Sequence, residues 1–460
     1  MIQLAAMSGS PVAVLGLGRS GMATVRALRA GGHRYWAWDD DAAVRATAAA
    51  EGVVLTDLHR HAFEGATPLV LSPGIPHTHP APHPVVARAR AAGCEVVGDC
   101  ELLARARPEA AFVGITGTNG KSTTTALVGH ILRSAGRDCE VGGNLGPPVL
   151  AFRPLGADGF YVLEMSSYQL ELIRSLVFRV AVLLNITPDH IDRHGGFDGY
   201  VAAKRRIFRG QGRKATAIVA VDDEPCRAIV AALRAQGEPR VIPISGSSTV
   251  AGGVFALDGT LYDDIDGGGA RPLVDLATAR ALPGEHNAQN AAAAFASVRA
   301  LGVDAATAAA ALLTFPGLAH RQEVVAAVDG VVYVNDSKAT NPEAAARALA
   351  CYRDIYWIAG GRPKEGPLTA LEPYLDRVRH AFLIGEATEG FAAALEHRVP
   401  ISRCGTLGAA LVAARAAAER EGRQGAVVLL SPACASFDQF RNFEERGETF
   451  RRLVAALRQC

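Results

Sequence analysis

Residues 112–123 read FVGITGTNGKST, and no other stretch restricts the fold as strongly. An apolar strand feeds a glycine-rich turn that ends in Lys-Ser, and TTTALVGHIL continues with the spacing of a helix. Strand, tight loop and helix in that order form a cradle for a nucleoside triphosphate, because the N–H groups and positive dipole end at the helix start favour phosphate. In this reading Gly117, Thr118, Asn119, Gly120, Lys121, Ser122 and Thr123 wrap ATP, with backbone N–H groups of the turn facing the phosphates. Lys121 bridges the terminal phosphates and the Ser122 hydroxyl holds Mg²⁺. The general pattern has more residues between its glycines than the Thr118-Asn119 pair found here. A purely structural turn is the alternative, but this motif between strand and helix has few architectural uses.

The 460 residues carry 47 basic and 46 acidic side chains and are 49% apolar, as expected for a globular chain of about three domains. So even a charge balance argues against a nucleic-acid or membrane surface. The opening MIQLAAMSGSP lacks the basic-then-apolar order of a targeting segment. Arg, Glu and Gly interrupt the alanine-rich runs before any could span a bilayer, so no membrane insertion and a cytoplasmic location are expected. Eight scattered cysteines, without CxxC or metal-ligand spacing, are expected to be reduced thiols.

Strand-like apolar runs alternate with alanine-rich helical stretches along almost the whole chain, the pattern of α/β layers with mainly parallel sheets. The first block has strands at 12–16, 35–39, 69–72 and 95–98. A second starts at the phosphate-loop strand, continues through 160–163, 180–184 and 217–221, and passes through short strands and the Gly-rich Asp266–Ala270 to a helix over 286–300. A third has strands at 331–334, 355–359, 381–384 and 426–430 and ends in a helix from about Phe443. The expected domains are residues 1–106, Rossmann-like; 107–316, central and P-loop ATPase-like; and 317–460, Rossmann-like.

Within the first block, Gly16-Leu-Gly-Arg-Ser-Gly21 follows a strand and opens a helix, with Asp39 at the end of the next strand, which is the dinucleotide fingerprint. Those residues alone fit an NAD-dependent dehydrogenase, yet a helix N-terminus accepts any diphosphate, so UDP fits as well. Ser72-Pro-Gly-Ile-Pro could close over that ligand or be an ordinary turn.

Near the phosphate loop, Glu164 ends the strand 160–163, where its carboxylate could reach the Mg²⁺ carried by Ser122; a helix N-terminal charge is the alternative. Asp189-His190 follows the strand 180–184 on the same sheet edge, and a capping Asp with an incidental His would look the same. Pattern alone makes Lys204 a solvated helix charge and Asn287 a helix cap. Asn287 and Asn290, three residues apart, share a helix face.

GTNGKST, LEMSSYQLE, NITPDHIDRH, GEHNAQNAAAA, GLAHRQE, NDSKATNP, GGRPKEG and SPACASFDQF, in this order, resemble the motifs of the Mur ligase family, on the side of its glutamate-adding branch. The resemblance covers nearly the whole chain and is densest from Gly114 to Arg446. Folylpolyglutamate synthetases share the ATP loop but not SPACASFDQF, and the Asp-Asn-Pro-Arg motif of the diamino-acid-adding branch is missing. The family implies a three-domain cytoplasmic monomer that uses ATP and two Mg²⁺ ions to join D-glutamate to UDP-N-acetylmuramoyl-L-alanine in peptidoglycan precursor synthesis. An acyl phosphate would be the intermediate. L-glutamate would present the same charges, so the D configuration comes from the resemblance alone.

The resemblance also implies roles residue by residue. Lys121, Ser122 and Glu164 serve phosphate and metal, and Lys204 is carbamylated to bind a second Mg²⁺ with His190. Asn287 and Asn290 lie on the adenine side, and Arg321, Asp336 and Lys338 approach the nucleotide from the third domain, which closes over the site. Lys121, His190, Lys204 and Lys338 are the residues nearest the chemistry. Arg19, Ser20 and Asp39 hold the uridine diphosphate, and Asn144 and His190 touch the muramoyl peptide. Thr340, Lys364, Ser436, Phe437 and Phe443 hold the incoming glutamate; the Arg-Pro pair in GGRPKEG departs from other versions of that loop and leaves its reach open. The general base for the amine is not assigned, and His190 could serve only if the metal does not occupy it.

Overall fold

Val12–Leu15, Phe160–Glu164, Val180–Leu183, Thr216–Ala220 and Ile355–Gly360 are buried at every position, as strands are when helices cover both faces of a parallel sheet. The computed structural model describes residues 1–4, 11–63, 68–279, 281–363 and 368–457. The described residues form three sheets, of four, nine and six strands. The first, order β2-β1-β3-β4, is parallel throughout and consists of β1 (Val12–Leu15), β2 (Tyr35–Trp38), β3 (Leu69–Leu71) and β4 (Val96–Val97). Helices α1 (Arg19–Ala30), α2 (Ala42–Ala50), α3 (Pro84–Ala91) and α4 (Asp99–Ala106) alternate with these strands.

The central sheet has the order β13-β12-β11-β10-β9-β8-β5-β7-β6. Its parallel part comprises β5 (Ala111–Thr116), β6 (Cys139–Gly143), β7 (Phe160–Glu164), β8 (Val180–Leu183), β9 (Thr216–Ala220), β10 (Arg240–Ser245) and β11 (Val254–Leu257). The antiparallel strands β12 (Thr260–Asp263) and β13 (Arg271–Asp275) finish one edge. Between and after the strands run α5 (Lys121–Ser134), α6 (Ser167–Glu171), α7 (Ile191–His194), α8 (Phe197–Arg205), α9 (Glu224–Gln236), α10 (Glu285–Ala300) and α11 (Ala305–Leu313). Every residue of 290–298 in α10 is buried, and its alanines let the helix lie close against α5 and the sheet.

Glu101 of α4 fastens the chain that leads into the central sheet. Its fully enclosed carboxylate accepts the N–H groups of Arg174 (2.7 Å), Ser175 (2.9 Å) and Leu176 (3.3 Å), the Ser175 hydroxyl (2.6 Å) and Arg105 Nε (2.9 Å). Burial alone would raise its pKa, but these donors more than offset that and hold the carboxyl below its usual range.

The third sheet, order β14-β15-β19-β16-β17-β18, contains β14 (Glu323–Val328), β15 (Val331–Asn335), β16 (Ile355–Gly360), β17 (Val378–Ile384), β18 (Ile401–Gly405) and β19 (Val427–Leu430). It is parallel except for the β14–β15 pair. Helices α12 (Pro342–Cys351), α13 (Thr388–Leu395), α14 (Leu407–Glu421) and α15 (Phe443–Ala456) accompany it. The expected strands of all three blocks are present. Strands β6, β14 and β18 are additions, and each has exposed or half-exposed positions. Residues 1–278 with 285–314 make one compact unit, and 279–284 with 315–460 another.

Candidate active site

Strand β5 lies between β7 and β8, and both neighbours follow it in sequence, so the chain turns to opposite sides at its end. Such a switch point opens a crevice for ligands at the carboxyl ends of parallel strands. The phosphate loop occupies it. Gly117 (φ +154°) and Gly120 (φ +83°) adopt backbone angles that favour glycine, and a Cβ at Gly120 would lie 2.2 Å from Asn290 Oδ1. Asn290 accepts a hydrogen bond from Thr124 Oγ1 (3.2 Å) and donates to Asn287 Oδ1 (2.9 Å), so the two asparagines do share one face, and Asn287 is buried inside α10 rather than capping it.

The loop's own N–H groups are used differently from the sequence expectation. Thr118 N–H donates to Asn185 O (2.9 Å) and Asn119 N–H to Asn185 Oδ1 (2.8 Å). Asn185 Nδ2 returns to Asn119 O (3.3 Å) and also reaches Gln289 Oε1 (3.0 Å), whose Nε2 donates to Asp222 Oδ2 (2.6 Å). This amide chain fixes the Asn119 peptide in one orientation. Gly120 and the first turn of α5, with Lys121, the buried Ser122 and Thr123, complete the loop.

Two ammonium groups meet on one carbonyl: Lys121 Nζ donates to Gly117 O (2.9 Å) and Thr118 O (2.8 Å), and Lys204 Nζ to Gly117 O (2.8 Å). Lys204 is 1% exposed and lies over the Tyr200 ring at 4.5 Å, so the solvated helix charge expected from pattern alone is replaced by a buried cation. Burial, then the charge of Lys121, lowers its pKa to about 7. Tyr200 OH meets Thr118 Oγ1 at 3.1 Å.

Glu164 ends β7 beside the loop and is 2% exposed. Its Oε1 accepts from Asn144 Nδ2 (2.6 Å), and its Oε2 is buried and has no hydrogen-bond partner among the described residues. A buried carboxylate oxygen without a donor fits a cation, and hard oxygen ligands suit Mg²⁺. His190 stands at the start of α7 with φ +51°, 3.5 Å from Asp189. Burial and the nearby Lys121 and Lys204 lower its pKa, and Asp189 opposes them. Glu164, Asn144, His190, Lys121, Ser122 and Lys204 thus belong to one end of one sheet.

In the first sheet, the fingerprint glycines bring loop and strand into contact: a Cβ at Gly16 would sit 2.6 Å from Ser72, and one at Gly21 only 1.8 Å from Gly16 O. Arg19 donates to Gly146 O in the loop that carries Asn144, and Ser20 hydrogen-bonds the buried Asp99. Asp39 takes the N–H groups of Leu17 (2.7 Å) and Asp41 (2.9 Å), so it also braces the loop.

In the second unit, Asp336 is buried, its oxygens accepting from Gln322 N–H (3.2 Å) and the Ser431 hydroxyl (2.7 Å). Burial raises its pKa to about 7. Lys338 Nζ lies 3.9 Å above the Phe443 ring, and its N–H donates to the carbonyl of His320, the neighbour of Arg321. Thr340 N–H donates to Lys338 O (2.8 Å), Ser436 is buried and Phe437 is 63% exposed. The fully buried Arg446 joins the two stretches, donating to Ser337 Oγ (3.0 Å), Ser337 O (2.9 Å), Cys434 O (3.1 Å) and Ala435 O (3.3 Å). Lys364 lies outside the described residues.

Three family models match in sequence order: Mur ligase MurD-like, N-terminal domain, over residues 10–98; Mur ligase middle domain, over 115–298; and Mur ligase, glutamate ligase domain, over 320–434. The chain belongs to the Mur ligase family. It is 54% identical to the UDP-N-acetylmuramoylalanine–D-glutamate ligase of Rhodospirillum rubrum, covering 99% of this chain and 97% of the relative. The protein of the same name from Paramagnetospirillum magneticum is 52% identical over 100% of this chain and 99% of its own. Among solved structures, a UDP-N-acetylmuramate–alanine ligase from Thermotoga maritima shares the fold, with TM-score 0.57 at 16% identity over 98% of this chain and 99% of that one. For a Mur ligase, the dinucleotide fingerprint in the first sheet is no sign of a dehydrogenase.

Sequence reasoning passed over Asn185, Gln289 and Arg446, although each lies within or beside a motif that carried the family resemblance. Asp222 carries no pattern signal; Glu171 and His194 close the LEMSSYQLE and NITPDHIDRH motifs, but nothing in those motifs tells that they pair with each other and with His77.

Proposed function

We propose that this chain is an ATP-dependent ligase that joins D-glutamate to UDP-N-acetylmuramoyl-L-alanine, giving ADP and phosphate, in peptidoglycan precursor synthesis. The observation that carries the reading is its 54% identity, over nearly the full length of both chains, to a ligase of that name. The loop, Lys121 and Glu164 supply the nucleotide and metal machinery such a ligase needs. Residues 1–106 bind the uridine diphosphate through Arg19, Ser20 and Asp39, residues 107–316 bind ATP, and residues 317–460 bind the amino acid.

A carboxylate is a poor electrophile, so its oxygen attacks the γ-phosphorus of ATP and ADP leaves. The glutamate amine then attacks the acyl carbon, loses a proton, and phosphate departs as the amide forms. Lys121 leaves the carbonyls of Gly117 and Thr118 to follow the charge on the transferring phosphoryl group. Ser122 and Glu164 would hold one Mg²⁺, and a carbamylated Lys204 with His190 would hold a second; ions there would neutralise charge on the phosphates. The buried Lys204 supports this assignment, because its carbamate would place an anion between cations. Asn287, Asn290 and Arg321 serve the nucleotide, as do Asp336 and Lys338, while Asn144 contacts the muramoyl peptide. Thr340, Lys364, Ser436, Phe437 and Phe443 receive glutamate.

Phosphate release from ATP, measured with UDP-N-acetylmuramoyl-L-alanine and each of D-glutamate, L-glutamate, L-alanine and meso-diaminopimelate, tests the proposal. Release with D-glutamate alone is expected. Release with another amino acid instead would move the chain to a sibling activity, and none with any would refute the ligase reading.

A further inference from the structure

A substrate anchored in the first sheet must deliver its carboxylate to a loop on the central sheet, and small misplacements of reacting groups are costly. Besides the Glu101 and Arg19 contacts, two short helices beside the loop carry contacts that join these sheets. Glu171 closes α6, and its side chain is 17% exposed. One carboxylate oxygen lies 3.2 Å from His77 Nε2 and the other 3.4 Å from His194 Nδ1. His77 belongs to the turn that follows β3. Arg90 donates to its carbonyl and approaches its Nδ1 at 3.2 Å, and since arginine only donates, the His77 proton sits on Nε2 and points at Glu171.

His194 ends α7, the helix that His190 begins. Its ring is enclosed, with Nε2 2.9 Å from Ser167 Oγ, and it packs on Tyr168 (5.4 Å between centroids) and Tyr200 (5.5 Å). Tyr168 also packs on His190 (5.1 Å), and Tyr200 OH holds Thr118 of the phosphate loop (3.1 Å). The preceding residue, Arg193, ties the same helix to the same turn by donating to Ile75 O (2.7 Å) and His79 O (3.3 Å). Ser167, His194 and Glu171 follow the order of a hydrolytic triad, but Ser167 and His194 are 3% and 4% exposed, so no substrate reaches the hydroxyl.

We infer that Glu171 is a positioning residue: by holding His77 and His194 on one carboxylate, it fixes the diphosphate-side turn against α7. It thereby sets where the carboxylate of the UDP-linked substrate meets His190 and the phosphate loop. The inference rests on the function proposed above.

Glu171→Gln keeps the volume and removes the charge. Losing charge-assisted hydrogen bonds of this kind should raise KM for UDP-N-acetylmuramoyl-L-alanine roughly tenfold and lower kcat, with KM for ATP unchanged. His77→Asn cuts the bridge from the other side and should give the same split. The double variant should be no worse than Glu171→Gln, because both changes break one connection. Equal rises in both KM values, no rise in either, or additive effects would overturn the inference. Should Glu171→Gln fail to fold, His77→Asn decides alone. Amide exchange separates the two readings: His77→Asn should speed exchange at Ile191–His194 and leave Val113–Thr116 protected. Unchanged exchange at Ile191–His194 would refute the joint whatever the turnover, whereas absence of D-glutamate-dependent turnover in the unaltered protein would refute the function.

Discussion

Gly120→Ala is the sharpest probe of how the phosphate loop is built. The residue sits at φ +83°, where an alanine costs about 1–2 kcal/mol through its Cβ. The new methyl would also fall 2.2 Å from Asn290 Oδ1 and 3.1 Å from Leu184 Cδ1. Asn290 cannot simply swing aside: it is 2% exposed and held by Thr124 and Asn287. Breaking the Thr124 bond adds about 1 kcal/mol, for a total of about 2–3 kcal/mol. Thermal unfolding should show a loss of roughly 5 °C, and KM for ATP should rise about tenfold or more, since any relief moves the loop or the Asn287–Asn290 pair behind it. Gly156→Ala, with nothing within 4 Å of the added methyl, is the control and should shift stability by less than about 0.5 kcal/mol. Adding Asn290→Ser removes the clashing oxygen and should recover part of the lost stability. A Gly120→Ala protein with the melting temperature and ATP KM of the parent would refute the reasoning.

Other outcomes follow from the same geometry. Lys121→Ala should abolish D-glutamate-dependent phosphate release, and release near the parental rate would remove the lysine from the phosphate site. Lys204→Ala should lose activity and partly regain it with added short carboxylic acids, whose carboxylates replace the carbamate; a titration without any recovery counts against carbamylation. Glu101→Gln should lose about 2 kcal/mol of stability at neutral pH, because buried N–H donors lose an anionic acceptor. The folded Glu101 carboxyl lies below its unfolded value of 4.5, so its contribution is full above pH 4.5 and disappears as pH falls through the folded value. Urea denaturation at pH 7 and pH 3.5 should therefore show the gap between parent and variant narrowing in acid, and a constant gap would contradict the assignment.

The strands and the phosphate loop were legible because their signals are local: continuous apolar runs, glycines where φ is positive, and a Lys-Ser pair opening a helix. The charge of Lys204 pointed the wrong way, since helical spacing cannot reveal that Tyr200 and Gly117 enclose the ammonium. The Gly-rich loop was read with too many N–H groups facing phosphate, because the acceptors at Asn185 lie 66 residues away. Strand β18 lacks apolar continuity, and β14, although its residues 324–328 are apolar, is half exposed at the edge of its sheet; pairing along the sheet defines both. Glu101 and Glu171 look like ordinary helix acids, and only the tertiary fold supplies the donors that give each its task.

The buttress of the phosphate loop also has a consequence for synthesis. Thr124 and Asn290, which meet across the loop, are separated by 166 residues, and Asn185 and Gln289 by 104. A chain emerging from the ribosome displays its glycine-rich loop long before α10 exists to hold it. The nucleotide cradle is thus among the last parts of its unit to be finished, and a prematurely ended chain carries the motif without the grip.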